Sequence, residues 1–585
     1  MKRFLTIFSA FIMLISCSDN QPGPTGGANP SGGDTAAGGR KWWKEAVVYQ
    51  IYPRSFKDAN GDGIGDLKGI ISKLDYIKSL GVDVVWLNPI YSSPNDDNGY
   101  DISDYRNIMK DFGTMADFDT LLSEMHKRQI KLVMDLVVNH TSDEHTWFRQ
   151  SRSARSNPYR NYYHWWDAER GRPTPRWSFF DVNSDAWRFD SLSNAYYLHY
   201  FSRKQPDLNW ENPAVRQEVY GIMKFWLDKG IDGFRMDAFQ FVAKDTTWPV
   251  FPPGYEQEIG KYYGMGPHLH EYLQEMNRDV LAKYDIMTVA EGAGSTLQDA
   301  HDLVDPDRHE LNMAYHFEGI DLGHGKPEYS LLEMKKVYGK WDSAFEEKGW
   351  LSIFLANHDQ PRMVSHWGND SPGFRALSSK MLSTFIMTMR GTPYYYNGDE
   401  IGMKNIRFDK IADYRDIGTI NKYKEAVNKG GDPAAFLESV KNSSRDNSRT
   451  PFQWDGTANA GFTTGTPWIK VNPDYATVNV AAQEKDTQSI LSYFRQIVRL
   501  RKDNLALVYG RYTLLDKDNP DVYAYTREGY GKKMLILLNF RTRTAATATG
   551  IDLGRAHLLL SNYPGAPAGD SLRPYEARVY ELPAP

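Results

Sequence analysis

The sequence predicts an α/β fold built on a parallel (β/α)8 barrel of TIM type, with an inserted domain after the third strand and a C-terminal antiparallel β-sandwich. Three observations carry this reading. From Trp42 onward, eight short β-rich runs alternate with helical patterns, the order that a closed parallel sheet with outer helices requires. Between the third and fourth runs lies a long segment, 141–209, rich in Trp, Tyr, Arg and Pro and lacking helical period. After the helical stretch 491–502 the pattern changes to short strands alone, at 522–525, 534–539, 557–560 and 578–582, as in a separate sandwich.

In chain order, residues 1–16 join a basic start (Lys2, Arg3) to an apolar run, too short for a membrane span and of signal-peptide length. The tetrapeptide Leu14-Ile-Ser-Cys17 resembles the bacterial lipobox, which implies cleavage before Cys17 and lipidation of its thiol. Cys17 is the only cysteine, so disulfides within the chain are excluded. Residues 17–41, rich in Gly, Pro, Ser and Asn, read as a flexible tether. The expected location is a bacterial cell envelope, periplasmic or surface-exposed, with a lipid anchor as the only membrane attachment.

The barrel's first part covers 42–140, with runs at 46–52, 82–90 and 130–138. Its second part covers 210–505, with runs at 233–238, 287–291, 314–317, 351–357 and 391–397, and the sandwich takes 506–585. An open doubly wound sheet is the alternative, but no glycine-rich phosphate turn follows the first run. The insertion at 141–209 follows a strand and belongs on the catalytic face. After the first run stands Asp58-Ala-Asn60-Gly-Asp62-Gly-Ile64-Gly-Asp66, with oxygen-bearing side chains at alternate positions. This is the first part of a calcium loop, in which Asp58, Asn60 and Asp62 supply side-chain oxygens and Ile64 a carbonyl. The distal Glu of a two-helix sensor is absent, so Asp66 closes the set and the Ca2+ is structural.

The net charge of -5, with Lys and Arg scattered, excludes a basic surface for nucleic acid and favours a neutral ligand. The aromatic content, 14%, offers ring faces to sugars. Chemistry concentrates where apolar runs end abruptly in ionisable residues: Asp135 with Asn139 and His140, Arg235 with Asp237, Glu291, and His358 with Asp359. Arg235 and Asp237 stand two apart and emerge on one face of their strand. One such ending reads equally as a structural salt bridge. Four together imply convergence over a barrel mouth, with three carboxylates and donors from His140, Arg235 and His358.

These residues resemble glycoside hydrolase family 13, the α-amylase family. Asp135-Leu-Val-Val-Asn139-His140, Gly233-Phe-Arg235-Met-Asp237, Val289-Ala-Glu291 and Asn357-His358-Asp359 match its four sequence regions in order. Gln205-Pro-Asp207-Leu-Asn209 and the stretch from Ser444-Arg445-Asp446 through Arg449 to Trp454 are similar to its α-glucosidase and oligo-1,6-glucosidase branch. The resemblance implies retaining hydrolysis of α-linked gluco-oligosaccharides. Asp237 would be the nucleophile, kept ionised by Arg235, Glu291 the acid/base, and Asp359 the stabiliser of the oxocarbenium-like state. His140 and His358 would bond the same sugar ring. Tyr100 and Asp101 would stack on and bind the terminal sugar, with Arg445 or Arg449 as the partner of Asp101. That pair would close the site beyond the non-reducing end and make the enzyme exo-acting.

After the nucleophile, branch members carry Val with α-1,6 preference and Thr with α-1,4; here it is Ala238, which leaves linkage open. Trehalose synthases of the family also carry Ala there, so transfer or isomerisation stays an alternative. The charged Arg-Leu-Asp-Arg-Asp loop of sucrose isomerases is absent. A non-catalytic carbohydrate-binding protein is the other alternative, opposed by the presence of all three carboxylates.

Overall fold

The computed structural model describes residues 39–323, 329–565 and 569–583. The expected signal segment, Cys17 and the expected tether through residue 38 lie outside the described residues. Among those described, no helix is long and apolar enough to cross a membrane.

All eight expected runs form barrel strands: β1 (Val48–Ile51), β2 (Val84–Leu87), β3 (Lys131–Val137), β4 (Gly233–Asp237), β5 (Met287–Glu291), β6 (Met313–Tyr315), β7 (Ser352–Ile353) and β8 (Thr392–Tyr396). Their order, β6-β5-β4-β3-β2-β1-β8-β7, is parallel throughout, and a bridge between Ala314 and Leu351 closes the ring. The strands are almost wholly buried, as apolar runs covered on both sides must be. Helices between them carry local stop and start signals. The helix Pro213–Lys229 that leads into β4 begins at an Asn212 cap with Pro at its first position and ends at Gly230 with φ of 103°.

The insertion was expected to lack helix, and here the structure differs. It holds a helix, Thr146–Ser153, capped by His145, before a three-stranded antiparallel sheet of Trp165–Asp167, Ala195–Leu198 and Trp187–Asp190. Two turns offer too few positions for a period to show.

The C-terminal strands β9 (Arg511–Leu515), β10 (Val522–Gly529), β11 (Lys532–Asn539), β12 (His557–Ser561) and β13 (Ala577–Glu581) form one antiparallel sheet in the order β9-β10-β11-β13-β12. A two-stranded ribbon, Ala545–Ala546 with Ser571–Leu572, supplies the second layer. Alternation sorts the faces: Tyr523, Tyr525, Ile536 and Leu538 join the barrel's apolar cluster, while Val522, Ala524, Leu535 and Leu537 pack with Leu572. The helix Arg375–Thr388 meets this sheet through a 2.6 Å hydrogen bond between Thr388 and Tyr525.

Candidate active site

Strand register brings the first group together. Asp135 on β3 lies beside Arg235 on β4, and Arg235 beside Val289 on β5, so Asp237 and Glu291, each two residues on, emerge one layer higher. Arg235 is fully buried. Its Nη1 donates to Asp135 at 2.8 Å and to Asp237 at 2.6 Å, its Nε donates to Tyr315 at 3.1 Å, and Nη2 is in ion-pair contact with Glu291. The two proposed catalytic carboxylates thus flank one planar guanidinium, compatible with the roughly 5 Å separation of a retaining pair. The other oxygen of Glu291 accepts the Ala238 N–H at 2.8 Å. That contact needs Ala238 at a φ of 45°, in the left-handed region.

The charges in this group differ from expectation in one respect. Arg235 does pull Asp237 down, but burial outweighs it, and Glu291 and Asp135 add to burial, so the carboxyl stands well above its ordinary range. Burial likewise pushes Asp135 up to about 6 against Arg235. Asp135 and Asp237, two buried carboxyls on one cation, titrate as a pair and not as single members.

The second group lies at the ends of β7 and β8. Asp359 accepts from Arg449 at 2.7 Å and Arg445 at 3.1 Å, and lies 3.2 Å from His358. Against burial, these neighbours hold it below the usual carboxylate range. Burial drives His358 well below its ordinary value, so the ring acts on Asp359 as a neutral neighbour through its Nε2 contact, while the two arginines supply the positive charge. Gln50 contacts His358 Nδ1 at 2.9 Å, which puts the ring proton on Nε2, facing Tyr100 at 2.6 Å. Tyr100 stacks on that ring with 5.3 Å between centroids and donates to Asp135 at 3.0 Å, linking the two groups. His140, lowered to about 3 by burial, contacts the Tyr100 carbonyl at 3.1 Å.

One assignment is corrected. Asp101 meets neither arginine. It is fully buried and accepts from Ser93 Oγ and from the N–H groups of Asp96 and Asp97, at 2.9, 2.9 and 3.1 Å, which satisfy it within its own turn. Arg445 instead meets Asp97 at 3.1 Å and Asp416 at 2.5 Å, and lies 4.6 Å from the ring centre of Phe180 in the inserted domain. Sequence reasoning missed Asp97, Asp416, Gln50 and Asn88, the last of which accepts from Gln50 at 2.9 Å and donates to the Tyr100 hydroxyl at 2.7 Å. The last two are amides at strand ends, within the same rule had it not been confined to ionisable groups.

Beyond Glu291 and Ala238 opens a cavity of about 820 Å3, with Phe179, Phe201, Phe241 and Gln240 in its wall. Away from it, the 58–66 loop folds as a tight turn. Asp58 and Asp66 are buried, and Asp58 accepts from Gly61, Gly63 and Thr463. Against burial, those hydrogen bonds keep Asp58 below its ordinary range. Asn60 and Asp62 side chains meet at 3.0 Å. None of the loop's three aspartates is ion-paired to Lys or Arg among the described residues, so an all-oxygen donor set fits a hard cation. Among the described residues no three His, Cys, Asp or Glu side chains come together as a metal group, so Asp58, Asp62 and Asp66 do not by themselves form one.

The family model "Alpha amylase, catalytic domain" matches residues 50–510. The chain is 54% identical over 567 residues to an oligo-1,6-glucosidase of Parageobacillus thermoglucosidasius, covering 93% of this chain and 100% of that one. It is 50% identical over 558 residues to an oligo-1,6-glucosidase of Bacillus cereus, with 93% and 100% covered. Among solved structures it is similar to the isomaltulose synthase PalI from Klebsiella sp. LX3, with a TM-score of 0.89, 45% identity and coverage of 93% and 100%. Matched from the first barrel strand to the edge of the C-terminal sheet, the chain belongs to the α-amylase family.

Proposed function

We propose that the protein is a retaining, exo-acting α-glucosidase that removes terminal α-linked glucose from isomaltose- and maltose-type oligosaccharides. The observation that carries this reading is the pair Asp237 and Glu291 on one guanidinium, beside a second group, Arg445 with Asp97 and Asp359, that bars the far end. Asp237 attacks the anomeric carbon and forms a glucosyl ester while Glu291 delivers its proton to the leaving oxygen. Water, deprotonated by Glu291, then releases the sugar with its configuration kept. Glu291 has to leave one of its two neighbours to donate, because one oxygen is in ion-pair contact with Arg235 and the other accepts the Ala238 N–H. Asp359, ionised between two arginines, stabilises the positive charge that develops on the ring. Relatives named oligo-1,6-glucosidases favour an α-1,6 link. NMR of the first product tests the reading: α-glucose must appear before mutarotation, and initial β-glucose rules it out.

Isomerisation by internal transfer is the second reading, favoured by likeness to an isomaltulose synthase. Sucrose incubated with the protein decides it: isomaltulose as the main product would replace hydrolysis. No nucleic-acid partner enters either reading. The reading further includes a structural Ca2+ held by Asp58, Asn60, Asp62, the Ile64 carbonyl and Asp66. It also includes a lipid on Cys17 that tethers the enzyme to a bacterial envelope. Mass spectrometry of the membrane fraction should find a diacylglyceryl adduct on the wild type that Cys17→Ala lacks; an unmodified Cys17 removes the anchor.

A further inference from the structure

We propose that Gln240 reads the leaving-group sugar, and that the half of the cavity it lines takes an uncharged one. This rests on the α-glucosidase reading and adds what is recognised beyond the scissile bond. Glu291 and Ala238 stand in the wall of the 820 Å3 cavity, so it opens on the side from which the acid meets the leaving oxygen. Gln240 lines the same wall, three residues after Asp237, in the turn Phe239–Phe241. It is 7% exposed, and its Oε1 has no hydrogen-bond partner among the described residues.

Buried amides are almost always paired. This one has its Oε1 covered and unpartnered in a residue that lines a cavity wall beside the acid, which points to a polar ligand for the carboxamide. The backbone keeps the group there. Gly292, next to Glu291, has a φ of +90°, and a Cβ on it would lie 2.6 Å from the Gln240 carboxamide carbon. The Gln240 main-chain carbonyl accepts from the Met265 N–H at 2.9 Å. The amide therefore lies flat against the residue beside the acid, offering an acceptor and two donors. A sugar hydroxyl answers both kinds, and stacked Phe179 and Phe201, 4.9 Å apart, give an apolar face for its ring. A phosphorylated sugar fits badly. Glu256, Glu258 and Glu318 are among the lining residues, and Lys261 is the one Lys or Arg among those described, beside His316, which burial lowers.

Gln240→Met keeps length and packing on Gly292 and removes the polar atoms. kcat/KM is measured on isomaltose and on p-nitrophenyl α-glucoside, whose leaving group carries no sugar hydroxyl. The isomaltose-to-aryl ratio should fall about tenfold, the scale of one hydrogen bond lost to a bound hydroxyl. An unchanged ratio overturns the proposal, and so does an equal loss on both substrates, which marks a structural role. The wild type supplies a second arm that does not depend on the variant's folding. Maltose phosphorylated on its reducing sugar should be cleaved at least tenfold less efficiently than maltose, and equal rates overturn the uncharged half. If the wild type cleaves none of these substrates, the α-glucosidase reading has failed instead.

Discussion

Arg235 uses its whole fork on four neighbours, Asp135, Asp237, Glu291 and Tyr315, a set that a lysine's point charge cannot meet at once. The carboxylates around it divide the work, and substitutions separate their roles. Asp237→Ala should abolish turnover, since no glucosyl ester forms. Glu291→Gln should cost about 10²- to 10⁴-fold on isomaltose or maltose and far less on aryl glucosides, whose leaving groups need little protonation. Asp359→Asn should impair both substrate types, because it serves charge common to them. Steady-state kinetics on the two substrates check this: an equal loss in the Glu291 variant, with turnover kept in the Asp237 variant, would reverse the assignment. These three residues were legible because each ends an apolar run. Asp97 was not. It sits in Asn95-Asp96-Asp97-Asn98, four residues from Asp101, and nothing in residue type tells these aspartates apart. The turn decides, with φ of 69° at Asn95 and 48° at Asn98, by folding Asp101 into its own donors and presenting Asp97 to Arg445.

At the scale of elements, the strands could be read because burial on both faces forces continuous apolar runs. Their lengths could not: the run at 351–357 yields only Ser352–Ile353 as strand, and Asn357 to Asp359 leave the ladder to enter the site. The wall that Arg445 forms with Asp97, Asp416 and Phe180 was equally hidden, since it joins pieces far apart in sequence. The helix Ile417–Asn428, mostly half-buried with Thr419 as its one buried residue, carries little pattern. Its cap is Asp416, which accepts from the Gly418 and Thr419 N–H groups and also from Arg445. Asn421 donates to the Phe180 carbonyl at 2.8 Å and Lys422 to Ser184 at 2.7 Å, so this helix clasps the inserted domain against the arginine. An insertion on the catalytic face was predictable from its position; which helix holds it was not, because the contacts are single polar pairs.

Over the whole molecule, two sets of buried groups oppose each other in pH. Burial pushes Asp101 and Asp399 up to about 7, and Asp97, Asp207 and Asp446 to about 6. Folded carboxyls then hold protons that the unfolded chain has released above about 4, so their contribution falls as pH rises from there to 7. Buried histidines do the reverse: His140, His164 and His316 are lowered to about 3, and their stabilisation, present above about 6.5, is lost as pH falls. The sets offset only in part between about pH 4.5 and 6.5, where the five carboxyls outnumber the three histidines. The melting temperature should fall gently as pH rises through that window and drop below about 4, where Asp416, lowered to about 2 by Arg445 against burial, loses its contribution too. A melting temperature that climbs with pH inside that window in a thermal scan would show one set to be misjudged. The 58–66 loop ties the ends of the barrel in another way. Asp58 accepts from Thr463 at 2.5 Å and Trp468 donates its N–H to the Gly63 carbonyl at 3.0 Å, so a turn after β1 is pinned to chain some 400 residues later. A cation in that turn would bind only when both segments are in place, and would stabilise the fold by mass action, about 2.7 kcal/mol at a hundredfold excess over Kd. Chelation should lower the melting temperature by several degrees and added Ca2+ restore it. The loss in kcat/KM on aryl glucoside at 25 °C should be small, since no loop side chain touches the site. Asp62→Ala should remove the Ca2+ response while leaving the hydrogen bonds of Asp58 intact. A wild type whose melting temperature ignores both chelator and Ca2+ would show that the turn's own hydrogen bonds hold it, with no ion.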